Sequence, residues 1–270
     1  MITLSISGGD SIQIDFPEYN YTTTSHLAIS ITKTMAGYKI WDNGISNDYR
    51  TCSIDRFYID STQSKSIDDF ILANRGENIN LVLPEGSGFF PFAPDKGDYG
   101  TFVVKIIDRK FGQFDQFSRY SKSLELLLVT PPSYEFPEIS QQGSFQIGSV
   151  DGLLYPQLGI DVETQYGIGT GISYGGDAYS VDIKRNVYTA EFTQQCNTSL
   201  ASYLMAFITG ATGRDSDITV VAPTNYYLFG IQNGSSGTYT CKLTQSVIEC
   251  KHVGNEQFEI KIPLWMKAVA

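Results

Sequence analysis

At 270 residues the chain exceeds the usual size of one domain, and two domains of about 130 residues could each bury an ordinary core. Its formal net charge of −10 disfavours a nucleic-acid-wrapping role, which would need a basic face, and suits a surface that stays soluble or repels a polyanion. No basic stretch followed by an apolar run opens the sequence, so no signal peptide is expected, and no run of about 18 apolar residues is present to span a membrane.

Tyr and Phe number 17 and 16, and Thr, Ile and Val are frequent, which favours strands. In chain order, residues 22–38 form a long loop or an extra hairpin. Alternation over Ile54–Asp60 predicts a strand. Ser66 reads as a helix N-cap, with Ile67, Phe70 and Ile71 at helical spacing and Gly76 at the stop. Asn78–Leu83 is a strand ended by Pro84. The aromatic loop Phe89-Phe90-Pro91-Phe92 and strands over 100–107 and 123–129 follow.

Pro131-Pro132-Ser133 marks a join, so the expected domains are 1–132 and 133–270. Phe136-Pro137-Glu138 echoes Phe16-Pro17-Glu18, and residues 141–171 form another long loop or hairpin region. Strands are predicted over 188–193, 217–222, 237–243 and 257–262. A helix capped by Ser199, with Leu200, Tyr203 and Leu204 on one face, stops at Gly210, and the aromatic loop Tyr226-Tyr227-Leu228-Phe229 follows the second of those strands.

The second half thus restates the first. Ser66–Ile71 matches Ser199–Leu204 at an offset of 133, Gly97–Lys105 matches Gly234–Lys242 at 137, and Leu124–Leu126 matches Phe258–Ile260 at 134. The expected fold is mainly β with one helix per domain (α+β): two similar antiparallel β-sandwich or barrel domains.

Catalytic patterns are weak. Gly167-Ile168-Gly169-Thr170-Gly171 lacks the preceding strand, the Lys-Ser/Thr partner and the following helix of a phosphate cradle, and reads as a turn. Asp42, Asp48, Asp55 and Asp60 could supply paired carboxylates, but acids alternating on a strand usually mark its solvated face. His26 and His252 have no nucleophile motif beside them. Cys52, Cys196, Cys241 and Cys250 show no zinc spacing and fit a reducing site of synthesis. The sequons at Asn20, Asn197 and Asn233 read as chance matches. No catalytic, cofactor-binding or metal-binding residue is nominated, and no cofactor is expected. The two aromatic loops could pack a core or form a carbohydrate platform.

One family shares this order. In the first half it runs Asn43-Gly44, Tyr49-Arg50, the strand Phe57-Tyr58-Ile59, the helix to Asn74, the strand to Pro84, then the strands at Gly100–Val104 and Leu124–Leu126. It resembles the tube-fold domain of tailed-bacteriophage distal tail proteins and lambda-type minor tail proteins. Tyr174–Tyr179, Tyr188–Phe192 and the helix from Ser199 are similar in the second half. The resemblance covers 41–129 and 174–266, and rests on order and residue type. It implies a structural virion protein, not an enzyme: a ring-forming adaptor at the tail tube end or baseplate hub, lining the DNA channel. The implied partners are further copies of itself, the tail tube and other tail-tip proteins. Three copies would close a pseudo-sixfold ring, while six could stack as two rings. DNA would pass through without specific binding, no membrane is involved, and the protein would be made in the host cytoplasm and reside in the virion tail. The alternative is a two-domain module that recognises host-surface glycans through loops 89–92 and 226–229.

Overall fold

The computed structural model describes residues 1–15, 21–34, 37–42, 48–113, 120–139, 143–156, 159–165, 168–182, 186–210, 213 and 216–269. Phe16-Pro17-Glu18, Asn43-Gly44 and Gly167 lie outside the described residues. The fold is mainly β and antiparallel.

The first half holds β1 (Ile2–Ser5), β2 (Ser11–Ile14), β3 (Thr22–His26), the hairpin β4 (Ile29–Thr34) and β5 (Gly37–Asp42), β6 (Tyr49–Ile59), α1 (Ser61–Ala73), β7 (Ile79–Leu83), β8 (Gly100–Gln113) and β9 (Tyr120–Thr130). The second half holds β10 (Phe145–Ile147), β11 (Val150–Leu153), β12 (Ile160–Gln165), the hairpin β13 (Ile168–Ile172) and β14 (Ala178–Asp182), β15 (Val187–Asn197), α2 (Thr198–Thr209), β16 (Ile218–Ala222), β17 (Gly237–Leu243), β18 (Val247–Gly254) and β19 (Gln257–Val269). The described residues of 22–38 and 141–171 are therefore largely strands and hairpins, and Gly169 and Gly171 sit in a strand, not in the turn expected of them.

Strand order in the first half is β2-β1-β7-β8-β9-β6-β3, and in the second β11-β10-β16-β17-β19-β15-β12. Registers agree in detail. Ile79 faces Val104 and Leu83 faces Gly100, while Ile218 faces Cys241 and Ala222 faces Gly237. A bulge at Val129 of β9 lies opposite the Val103–Val104 step of β8, and another at Lys267 of β19 lies opposite the Thr240–Cys241 step of β17. A further bulge, at Ile107 of β8, lies where the second half breaks its long strand into β17 and β18. Such bulges bend a strand and increase its local twist.

The two halves do not stand apart. β18 pairs with β19 on one edge and with β3 on the other, so among the described residues a 15-stranded sheet crosses the 132/133 join. One cluster of buried apolar residues likewise runs through both halves.

Ser66 and Ser199 are not the helix caps expected. Asp60 caps α1 by accepting the Gln63 amide at 2.7 Å, and Asn197 caps α2 by accepting the Leu200 amide at 3.0 Å. Ser66 lies inside α1 and donates to the Thr62 carbonyl at 3.0 Å. The helix begins earlier because Asp60 satisfies orphan amides that a polar first turn, Ser61-Thr62-Gln63, leaves open. Corrected, the caps are 137 residues apart, the same offset as Gly97 and Gly234. The helices differ in surroundings. α1 buries Ser64, Ile67, Phe70 and Ile71 and leaves Lys65 and Asp69 exposed as an ion pair at 2.5 Å. α2 buries residues on more than one face, including Ala201, Ser202 and Met205, as a helix with neighbours on two sides must.

Candidate functional site

The most constrained region is a turn in the first half and what covers it. After the aromatic loop, a single 3₁₀ turn at Pro94–Lys96 is flanked by Ala93 (φ 72°) and Gly97 (φ 87°). The second half has a 3₁₀ turn at Ile231–Asn233 flanked by Gly230 (φ 88°) and Gly234 (φ 86°). Positive φ suits glycine, so Ala93 is a strained residue held by its surroundings. Its amide donates to the Thr23 hydroxyl at 3.1 Å, and that hydroxyl donates to the Pro91 carbonyl at 3.0 Å.

Arg50 on β6 ties this turn to the second half. Its guanidinium donates to the Phe92 carbonyl at 2.9 Å, to the Asp95 carboxylate, and to the Thr209 hydroxyl at the end of α2 at 2.8 Å. The Asp95 side chain is 1% exposed, with Lys96 Nζ 3.6 Å away. A charge pair so buried is held by the hydrogen bonds around it, and removal of one member strands the other. α2 packs directly over the turn.

Aromatic contacts seal the same junction. Phe90 meets Phe258 edge-on at 5.5 Å, and Tyr21 stacks on His252 at 4.9 Å. The Phe90 amide donates to the Tyr21 hydroxyl at 2.7 Å. The linker contributes Tyr134, which lies over Gly97 so closely that a Cβ there would come within 2.5 Å of its ring. A run Tyr99–Tyr134–Phe136–Tyr203 carries ring contacts from the first half onto α2.

The turn at Ile231–Asn233 has no such cover among the described residues. Leu228 and Phe229 are buried, but Tyr227 is 46% and Ile231 79% exposed. Gly234 has only a backbone oxygen at 3.7 Å from where a Cβ would be. Gln232 reaches the Thr164 hydroxyl of β12 at 3.1 Å, so this turn and β12 form one surface. Tyr226 stacks on Tyr155 at 3.5 Å.

No protein-family model matches this chain, and no curated protein does.

The candidate carboxylates do not form a site. Asp60 caps α1, Asp48 accepts the Ala28 amide at 2.5 Å, Asp55 is exposed, and the Asp42 side chain lies outside the described residues. His26 stacks on Tyr49 at 4.3 Å and His252 on Tyr21, and burial lowers the pKa of both. All four cysteines are buried free thiols, and burial raises their pKa, that of Cys196 to about 12, which leaves them protonated and unreactive. Among the described residues no group of His, Cys, Asp and Glu could hold a metal, and no helix is long and apolar enough to cross a membrane. A cleft of about 230 Å³ opens beside His26, Arg50 and Thr209, below the usual size of a small-molecule site. The rings of Phe89, Phe90 and Phe92 are buried and offer no platform to a ligand. In the sequence Arg50 stands out only within Tyr49-Arg50 of the family order, and Asp95 and Thr209 carry no motif; the one local signal is an acid, Asp95, set directly after an aromatic and proline run.

Proposed function

We propose that this chain is a non-enzymatic, ring-forming structural protein of a tailed-phage virion, placed at the tail tube end or baseplate hub and lining the DNA channel. In this reading 1–132 and 133–270 are two tube-fold-like domains in tandem, and three copies form a pseudo-sixfold ring that joins a sixfold tube to a threefold tip. The observation that carries the reading is the agreement of the halves in strand order, register, bulge position and turn geometry. A chain whose halves already dock head to tail through β18 and β3 has the kind of heterologous contact that closes into rings. The acidic balance suits a channel wall that repels DNA and lets it slide.

Native mass spectrometry with negative-stain imaging across concentration tests it. Three-chain rings with a central hole are expected. Six-chain assemblies would favour two stacked rings, and a monomer at every concentration would count against the ring.

The alternative, a glycan-binding module, retains support at one loop only, where Tyr226 and Tyr227 are partly exposed. Saccharide binding lost in Tyr227→Ala, by a protein that stays monomeric, would favour it.

A further inference from the structure

The contact that joins the two halves is half-made on each outer side of the chain. Inside the chain, the second half offers β18 and α2, and the first half receives them with the edge of β3 and the turn Pro94–Lys96. The receiving pair has a counterpart in β12 and the turn Ile231–Asn233, which Gln232 and Thr164 tie together. The offering pair has a counterpart in α1 and the far end of β8, beyond the bulge at Ile107. Among the described residues, β12 pairs only with β15, and β8 beyond Ile106 pairs only with β9. Both therefore present an open edge, a template for another strand.

The register across these edges follows from the seam that exists. Glu249 faces Thr24 there, in a ladder that also pairs Cys250 with Thr23. On the offering side, Cys250 faces Ile260, two residues before the Ile262 that pairs with Phe192. In the first half, Phe111 faces Lys122, two residues before the Leu124 that pairs with Ile54. Phe111 thus takes the place of Cys250, and Lys110 that of Glu249. On the receiving side, Thr23 faces Cys52, two residues before Ile54, while Val162 faces Ala190, two residues before Phe192. Val162 takes the place of Thr23, and Glu163 that of Thr24.

Resting on the ring reading above, we infer that the partner of these edges is a second copy of this chain, with β8 of one protomer added antiparallel to β12 of the next so that Lys110 faces Glu163. Charge supports the choice of occupant. The offering edge presents exposed Arg109 and Lys110, and the receiving edge exposed Asp161 and Glu163. Opposite charges directly across an antiparallel ladder stabilise it. Apolar exposure falls on the same two surfaces: Leu72 at 52% and Ile107 at 50% on one, Val162 at 38% and Ile231 at 79% on the other. Leu72 lies 137 residues before Thr209, the α2 residue that meets Arg50 above the covered turn. α1 of the next copy accordingly covers Ile231 as α2 covers Pro94. The contact is heterologous, so each added copy leaves the same two edges open until the ring closes.

A disulfide trap in the full-length chain tests the register. The double variant Lys110→Cys with Glu163→Cys places thiols at facing positions, within the Cα spacing a disulfide needs. The native cysteines are buried and do not compete. Mild oxidation is expected to give a covalent ladder that ends at a closed ring, while Lys110→Cys with Asp161→Cys, two residues out of register, stays uncrosslinked. Charge reversal gives a second readout. Lys110→Glu or Glu163→Lys alone should weaken self-association roughly three- to tenfold, and the two together should restore it. Rings that form without the 110–163 crosslink, and that ignore both reversals, would overturn this interface and leave the ring intact. A chain that stays monomeric and uncrosslinked would overturn both.

Discussion

The turns at Pro94–Lys96 and Ile231–Asn233 share a backbone and differ in everything that touches it. The first is roofed by α2, pinned by Arg50 and pressed by Tyr134; the second leaves Ile231 and Tyr227 at the surface. Side chains follow the environment. The covered turn places a buried acid, Asp95, against a buried arginine, where the open turn has Gln232 reaching a threonine hydroxyl. Chain geometry alone therefore does not decide whether such a turn becomes a junction or a free surface. The groups brought against it do.

The sharpest way to break the contrast is Arg50→Ala. It strands Asp95 in the junction, and chemical denaturation should report a loss of about 3–5 kcal/mol, moderated by nearby Lys96. Phe90→Ala removes a ring wedged against Phe258 and should lower stability by about 3 kcal/mol, whereas Tyr227→Ala in the open loop should stay within about 0.5 kcal/mol in the isolated chain. The flanking residues sharpen it further. Gly230→Ala should lose about 1–3 kcal/mol by imposing the strain that Ala93 already bears, and Ala93→Gly should gain up to about 1 kcal/mol in thermal unfolding.

The smallest effect is one of pH. Burial holds the His252 pKa below its usual value of 6.5, so the unfolded chain takes up the proton first as pH falls. The stability that the neutral ring contributes is complete above about pH 6.5 and declines below it. His252→Phe, which keeps the stack on Tyr21, should show a flatter loss of thermal stability between pH 7.5 and 5 than the parent chain.

Much of the sheet was legible. β6, β7, β8, β9, β15, β16, β17 and β19 announce themselves by alternation and by glycine or proline at their ends. β3 did not, because its inward positions are Thr23 and Ser25, each 1% exposed, and a polar residue buried in a strand leaves no hydrophobic period. β18 was missed as well: its buried positions, Ile248 and Cys250, are only two, and a charged Lys251 and His252 follow. These two strands make the seam, so its geometry could not be read from periodicity. The start of α1 was displaced because Ser61–Lys65 is polar and the apolar face begins at Ile67. The Arg50–Asp95 pair was hidden for a different reason. It joins residues 45 apart in sequence, which no local pattern records.

The seam also sets a timetable for synthesis. β3 leaves the ribosome early, yet the strand that completes its edge begins at Val247 and lies 221 residues beyond His26. At about 5–20 residues per second, that edge waits on the order of 10–45 s for its partner. During the wait it is open to other nascent chains, and a run of Thr22-Thr23-Thr24-Ser25, with no large apolar side chain, makes it a poor site for aggregation. The same polar strand that escaped detection by pattern is what lets a sheet with so distant a closure survive its own translation.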